Sequence, residues 1–159
     1  MASPQPNNQS TKENPVGRFM VASGAVIEQA NTGKILLIQR SASLDWRPNQ
    51  WEVVYGRIDQ FEDTEIGLKR EVKEEAGITD LQIISLLRVW HIFRGTEKLA
   101  ENEVIGITYH CRTEQPEPNL SSEHQAYAWV YPEDALEMVQ EDGIRRDIEK
   151  FIEKSKVVS

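Results

Sequence analysis

GRIDQFEDTEIGLKREVKEEAGI, running from Gly56 to Ile78, is the stretch whose reading decides the fold. Its second half carries a helical pattern. Leu68, Val72 and Ala76 stand at i, i+4 and i+8 and form an apolar stripe, and Gly77 is the expected stop. Glu71, Glu74 and Glu75 stand at i, i+3 and i+4. They share one arc of the surface beside that stripe, so they flank the buried face and do not point squarely away from it. Three carboxylates about 5–6 Å apart repel one another by on the order of 3 kcal/mol per pair at an effective dielectric near 20. Protonation relieves that repulsion, and so does a hard divalent cation. An ordinary solvated helix face also carries such charge runs, and the pentapeptide EVKEE alone fits either reading.

Outward from this helix the chain alternates strand and turn signals. Phe19 to Ile27, Lys34 to Gln39, Trp51 to Ile58, Val104 to Arg112 and Gln125 to Val130 read as strands, the first two joined by a turn at Asn31-Thr32-Gly33, and Leu81 to Phe93 reads as one long or two short strands. Pro132 opens a helix to about Gln140. Ile144, Ile148, Phe151 and Ile152 set one apolar face of a last helix. The expectation is a mixed sheet with helices packed on it, α/β or α+β.

A chain of 159 residues is the size of one domain. Residues 1–16 are polar and rich in Asn, Gln, Ser and Pro, and are expected to form a disordered tail ahead of a domain over 17–155. No apolar run is long enough to span a membrane, and the N-terminus has no leader pattern. The lone Cys111 has no partner for an internal disulfide, and a cytoplasmic setting is expected. The net charge of −8 argues against nucleic acid as a partner. It also means that an anionic substrate needs a cation or a local basic patch to offset repulsion.

Gly56, five residues, Glu62, seven residues, then Arg70-Glu71-Val72-Lys73-Glu74-Glu75-Ala76-Gly77-Ile78 resembles the Nudix box at every defined position. The resemblance implies an α/β/α sandwich around a mixed sheet. It also implies hydrolysis of a nucleoside diphosphate linked to another moiety, with Mg²⁺ or Mn²⁺. By that resemblance Glu74 and Glu75 bind metal, helped by Glu71 and the backbone carbonyl of Gly56. Glu71 or a neighbouring carboxylate deprotonates or orients the water. Arg70 pairs with Glu62 and fixes the turn into the helix, a structural task.

Three further stretches are similar to the family. Leu36-Leu37-Ile38-Gln39-Arg40 resembles its second strand, where Arg40 either reaches substrate phosphates or forms a surface salt bridge. Ser122-Glu123-His124-Gln125-Ala126-Tyr127-Ala128-Trp129 resembles its later loop, making Glu123 an extra ligand or base and His124 more a hydrogen-bonding residue than a ligand. Trp51-Glu52-Val53-Val54-Tyr55-Gly56 departs from the commoner W-x-L-P-G-G by placing Tyr55 where glycine is usual, and Tyr55 is assigned to the substrate side. Gly67 replaces the usual alanine without a reason visible in the sequence.

These features look closest to the dihydroneopterin triphosphate or dATP pyrophosphohydrolase branch. The expected partner is a small nucleotide or pterin triphosphate, with the chain a monomer or a homodimer. A broad-specificity hydrolase of dinucleoside polyphosphate or ADP-ribose type is the alternative, as is a Nudix-fold sensor without turnover. Retention of Glu71, Glu74 and Glu75 favours the enzyme. Trp46 in its polar loop is expected to be exposed and to touch ligand, whereas Trp90 and Phe93 read either as core residues or as stacking platforms.

Overall fold

The computed structural model describes residues 17–158; the expected tail over 1–16 lies outside them. Seven strands form one mixed sheet: β1 (Met20–Gln29), β2 (Ile35–Arg40), β3 (Trp51–Glu52), β4 (Val54–Arg57), β5 (Gln82–Phe93), β6 (Glu103–Thr113) and β7 (His124–Val130). The helices are α1 (Thr64–Ala76), α2 (Pro132–Met138) and α3 (Asp142–Val158). Along the sheet the order is β3-β2-β1-β6-β5, with β7 on β2 and β4 on β1. β1 is its spine. One edge of β1 pairs in parallel with β6 over its whole length, and the other pairs antiparallel with β4 and then with β2.

Alternation along β1 divides the core. Ala25 and Ile27 face α1 and pack with Leu68, Val72 and Ala76, while Val26 faces the other way and packs with Ile144, Ile148 and Phe151 of α3. The sheet is thus buried on both faces between α1 and the α2–α3 pair, the α/β/α sandwich expected from the sequence. No described helix is long and apolar enough to cross a membrane.

The strand expected over Trp51 to Ile58 divides at the buried Val53, because Glu52 pairs with Ile38 of β2 whereas Val54 pairs with Ala25 of β1. This change of partner carries the chain from one strand to another immediately before Gly56. α1 stops where the sequence indicated, at Gly77. Asp63 caps its first turn by accepting from the N–H groups of Glu65 and Ile66 at 2.9 and 3.1 Å. Gly77, at φ 64°, closes it in a left-handed conformation that costs glycine nothing, and its N–H donates to the Lys73 carbonyl.

Gly67 also acquires its reason. A Cβ there would lie 2.5 Å from Ile58 Cδ1 and 2.8 Å from Glu62 Oε2, so α1 packs onto the preceding loop only because this position has no side chain.

Candidate active site

Gly56 sits on β4 opposite Ser23 of β1, and its Cα faces α1. A Cβ built there would be 2.0 Å from Glu71 Cγ and 2.3 Å from Glu71 Oε2. The Glu71 carboxylate therefore lies directly on the backbone of Gly56, half-buried, and burial raises its affinity for a proton although Arg70 opposes this.

Arg70 is the hub of the turn. Its Nε and Nη2 donate to the two oxygens of Glu62 at 2.7 and 2.8 Å, a bidentate pair, and Nη2 also donates to the Arg57 carbonyl at 3.0 Å. Its Nη1 donates to Glu71 Oε1 at 2.8 Å and Glu74 Oε2 at 3.2 Å. The Glu62 carboxyl, held by Arg70 and by the N–H of Asp59, is pushed down to about 2. Arg70 is pushed up by the same contacts.

Glu75 belongs to a second chain of contacts. Ser121 Oγ donates to its Oε2 at 2.9 Å, and His124 Nδ1 lies 2.8 Å from the same atom, close but not aligned as a hydrogen bond. The other ring nitrogen, Nε2, meets Glu52 Oε1 at 3.0 Å, and Arg40 meets that oxygen at 3.3 Å. Burial alone would lower the His124 pKa, but Glu52 and Glu75 outweigh it and raise it to about 9. An imidazolium between two carboxylates then draws the Glu75 pKa down.

The expected residues thus converge, with differences in detail. Glu71, Glu74, Glu75, Gly56, Glu123, Arg40, Trp46 and Tyr55 all line one cleft of about 780 Å³. Arg40 pairs with Glu52 and donates to the Trp46 carbonyl while lining the cleft. Trp46 is half-buried and not freely exposed, with the Arg47 and Arg94 guanidiniums over its ring at 4.9 and 5.7 Å. Left-handed backbone at Arg47 and Asn49 shapes that loop. Glu123 is exposed, and no described side chain pairs with it.

The sequence reading missed a second polar cluster on the opposite wall. Asp147 of α3 is fully buried; Arg88 Nε donates to it at 2.7 Å, Thr108 Oγ1 at 3.0 Å, and the Tyr55 hydroxyl donates as well. Trp90 Nε1 in turn donates to Thr108 Oγ1 at 2.9 Å. Burial raises the Asp147 pKa against these partners, and burial beside Asp147 raises that of Tyr55. The signal was present: Asp147 interrupts the apolar stripe of Ile144, Ile148 and Phe151.

An all-oxygen set of carboxylates suits a hard divalent cation. Among the described residues, however, no three acidic, histidine or cysteine side chains are gathered to hold an ion as they stand. Arg70 Nη1 supplies the positive charge between Glu71 and Glu74.

The NUDIX domain family model matches residues 18–154. The nucleoside triphosphatase NudI of Escherichia coli O17:K52:H18 is 31% identical over 113 residues, covering 67% of this chain and 79% of that protein. Among solved structures, the MutT protein of Methanosarcina mazei Go1 superposes with a TM-score of 0.71 at 26% identity, covering 90% of this chain and 99% of that one. The dihydroneopterin triphosphate pyrophosphohydrolase of E. coli has the same TM-score at 22% identity, covering 84% and 95%, a likeness of fold alone. With its box intact around Gly56, Glu62 and the α1 glutamates, the chain belongs to the NUDIX domain family and is a Nudix hydrolase.

Proposed function

We propose that the chain hydrolyses a diphosphate bond of a nucleoside triphosphate-like substrate with the help of Mg²⁺ or Mn²⁺. The observation that carries this reading is that Glu71, Glu75 and the unpaired Glu123 line one cleft together with six arginines and no lysine. In a chain of net charge −8 this local basic lining answers the repulsion that a polyphosphate would otherwise meet. Arg57, Arg94 and Arg146 make no ion pair with a described residue, so their guanidiniums are available to phosphate oxygens. The similarity to a nucleoside triphosphatase and to a MutT protein supports the same substrate class.

Glu71, Glu74, Glu75 and Glu123, with the Gly56 carbonyl, would hold the cation, Glu74 exchanging its contact with Arg70 for it. A bound divalent ion supplies charge neutralisation for the phosphates and a water of lowered pKa. The protein's own groups do the rest. Glu71 Oε2, pressed on Gly56 and raised in proton affinity by burial, accepts the proton of the attacking water, with Glu123 as the second acceptor within the cleft. Arg70 and Glu62 fix the loop-to-helix turn that aims Glu71. His124 and Ser121 hold Glu75 in its ionised form. Tyr55 and Trp90 form the floor on which the nucleoside part lies, their rings edge-to-face at 5.9 Å.

Turnover of nucleoside triphosphates with and without Mg²⁺ tests the proposal, with Glu75→Gln as control. Cation-dependent release of phosphate or pyrophosphate, reduced by orders of magnitude in the variant, is the expected result. Equal rates in the variant would remove the carboxylates from the mechanism. Ligand binding without turnover would favour the sensor reading.

A further inference from the structure

The sheet register lays out the floor of the cleft row by row. Residues directly opposed on neighbouring strands point to the same face. On the α3 face one row reads Arg57, Ala22, Gly106, Trp90, and the next reads Tyr55, Gly24, Thr108, Arg88. The middle of both rows is small. A Cβ at Gly106 would strike the Trp90 indole at 2.0 Å, and one at Gly24 would strike the Tyr55 ring at 2.2 Å, so both rings lie over these glycines, packed edge-to-face on each other at 5.9 Å. They make an apolar shelf between the carboxylate end of the cleft and Arg88. From Tyr55 on β4 to Arg88 on β5 is three strand spacings, about 14 Å. A nucleoside triphosphate with its phosphates at the β4 edge therefore brings its base toward Arg88.

The polar groups at that inner end are unequally committed. Tyr55, Thr108 and Trp90 spend their hydrogens within the Asp147 network. Arg88 gives Nε to Asp147 and Nη2 to the Gly143 carbonyl at 3.1 Å, and Nη1 has no described partner. Glu141 is occupied by the Gly143 N–H and by Arg47. Asp142, exposed at the start of α3 and next in sequence to the residue that Arg88 touches, has no described partner. A fixed donor and a free acceptor therefore both line the cleft, and the donor touches the backbone of the residue that follows the acceptor.

We infer that Arg88 and Asp142 read the base of the substrate and select one with a lactam edge, a ring carbonyl beside a ring N–H. Arg88 Nη1 donates to the carbonyl oxygen, and the Asp142 carboxylate accepts from the adjacent N–H. Guanine, hypoxanthine, uracil, thymine and an oxopterin present that edge. Adenine and cytosine present the reverse, an amino group beside an unprotonated ring nitrogen, which sets donor against Arg88 and acceptor against Asp142. The mismatched edge is disfavoured because it sets donor against donor and acceptor against acceptor, leaving Arg88 Nη1 and Asp142 unpaired in the complex. Asp147 is then a positioning residue, holding Arg88 at the correct angle through a buried charge pair.

This inference rests on the proposed triphosphate hydrolysis, and the two fail differently. Inosine and adenosine triphosphates differ only at the edge in question, as do the uridine and cytidine triphosphates, apart from the shared sugar and phosphates. The wild-type chain is expected to favour ITP over ATP, and UTP over CTP, by about tenfold or more in kcat/KM. Asp142→Ala, at an exposed position, is expected to erase most of that advantage by lowering ITP and UTP turnover more than ATP and CTP turnover. Arg88→Lys, which keeps the charge beside Asp147, is expected to lower ITP and UTP turnover more than ATP and CTP turnover and so bring both ratios toward one, with melting temperature measured alongside. Wild-type ratios near one, or reversed, overturn the inference and leave the hydrolase reading standing. Equal losses on all four nucleotides in Asp142→Ala overturn the assignment of that residue. If no triphosphate is turned over, the proposed function fails, and the ITP-to-ATP ratio of Kd, read by quenching of tryptophan fluorescence, decides the inference on the same tenfold criterion.

Discussion

Gly56→Ala is the sharpest perturbation the site offers. The residue is not in the left-handed region, so alanine is acceptable to the backbone, and the whole effect comes from one methyl group. That methyl would stand 2.0 Å from Glu71 Cγ, where ordinary contact begins at 3.4 Å, so the Glu71 side chain must withdraw by about 1.4 Å. Glu71 is tied to Arg70 at 2.8 Å and cannot swing freely. A displacement near 1 Å at a group that positions the reaction costs about a hundredfold in rate. The packing strain adds about 1–3 kcal/mol, which lowers the melting temperature by several degrees without unfolding the chain. The assay is steady-state turnover of the preferred triphosphate, with thermal melting of the same samples. A kcat within threefold of wild type would refute the placement of the Glu71 carboxylate on Gly56. Activity lost only where the protein is already melted would refute it equally.

Gly24→Ala is the matched control on the opposite face of the sheet. Its methyl meets Tyr55 at 2.2 Å and not a carboxylate, so KM is expected to rise while kcat is largely kept, measured in the same assay. Arg70→Ala leaves Glu62, Glu71 and Glu74 without their common partner, and is expected to cost about 2–3 kcal/mol, seen as a melting temperature lower by roughly 5–10 °C. Gly67→Ala, normally a gain in helix propensity of about 1 kcal/mol, is expected to lower the melting temperature because the new methyl meets Ile58 and Glu62. Glu62 has a folded pKa near 2 against an ordinary 4.5, so its contribution is complete above pH 4.5 and is lost as pH falls toward 2. The gap in melting temperature between wild type and Glu62→Gln should therefore close over that interval; a constant gap would contradict the pairing with Arg70.

Much of this was legible in the sequence, for physical reasons that differ by element. The end of α1 was readable because its apolar stripe and its Gly77 stop are local signals, and Asp63 just ahead of Thr64 is a third such signal that went unused. The carboxylate arc was readable because helical spacing alone puts Glu71, Glu74 and Glu75 together. The break at Val53 was not, since it arises from a change of pairing partner between β2 and β1, which no local pattern encodes. The sequence does not decide between core and ligand for Trp90 because β5 carries two register shifts, between Ile83 and Ser85 and between Leu86 and Arg88, and each slips the period of two. Once the register is known, Trp90 falls on the cleft floor. Gly67 was opaque because its reason is the tertiary approach of Ile58 and Glu62. Asp147 was overlooked although it breaks an apolar stripe; its partners Tyr55, Arg88 and Thr108 come from three strands distant in sequence.

The most direct test of the central claim is hydrolysis in water enriched in oxygen-18, with Mg²⁺ present, followed by phosphorus NMR of the products. Cation-dependent cleavage that places the label in a single product is expected, with loss of that cleavage in Glu75→Gln while the fold is retained. Binding of nucleotide with no labelled product at any cation concentration would contradict the claim, and would make the carboxylate cluster of α1 a recognition surface without chemistry.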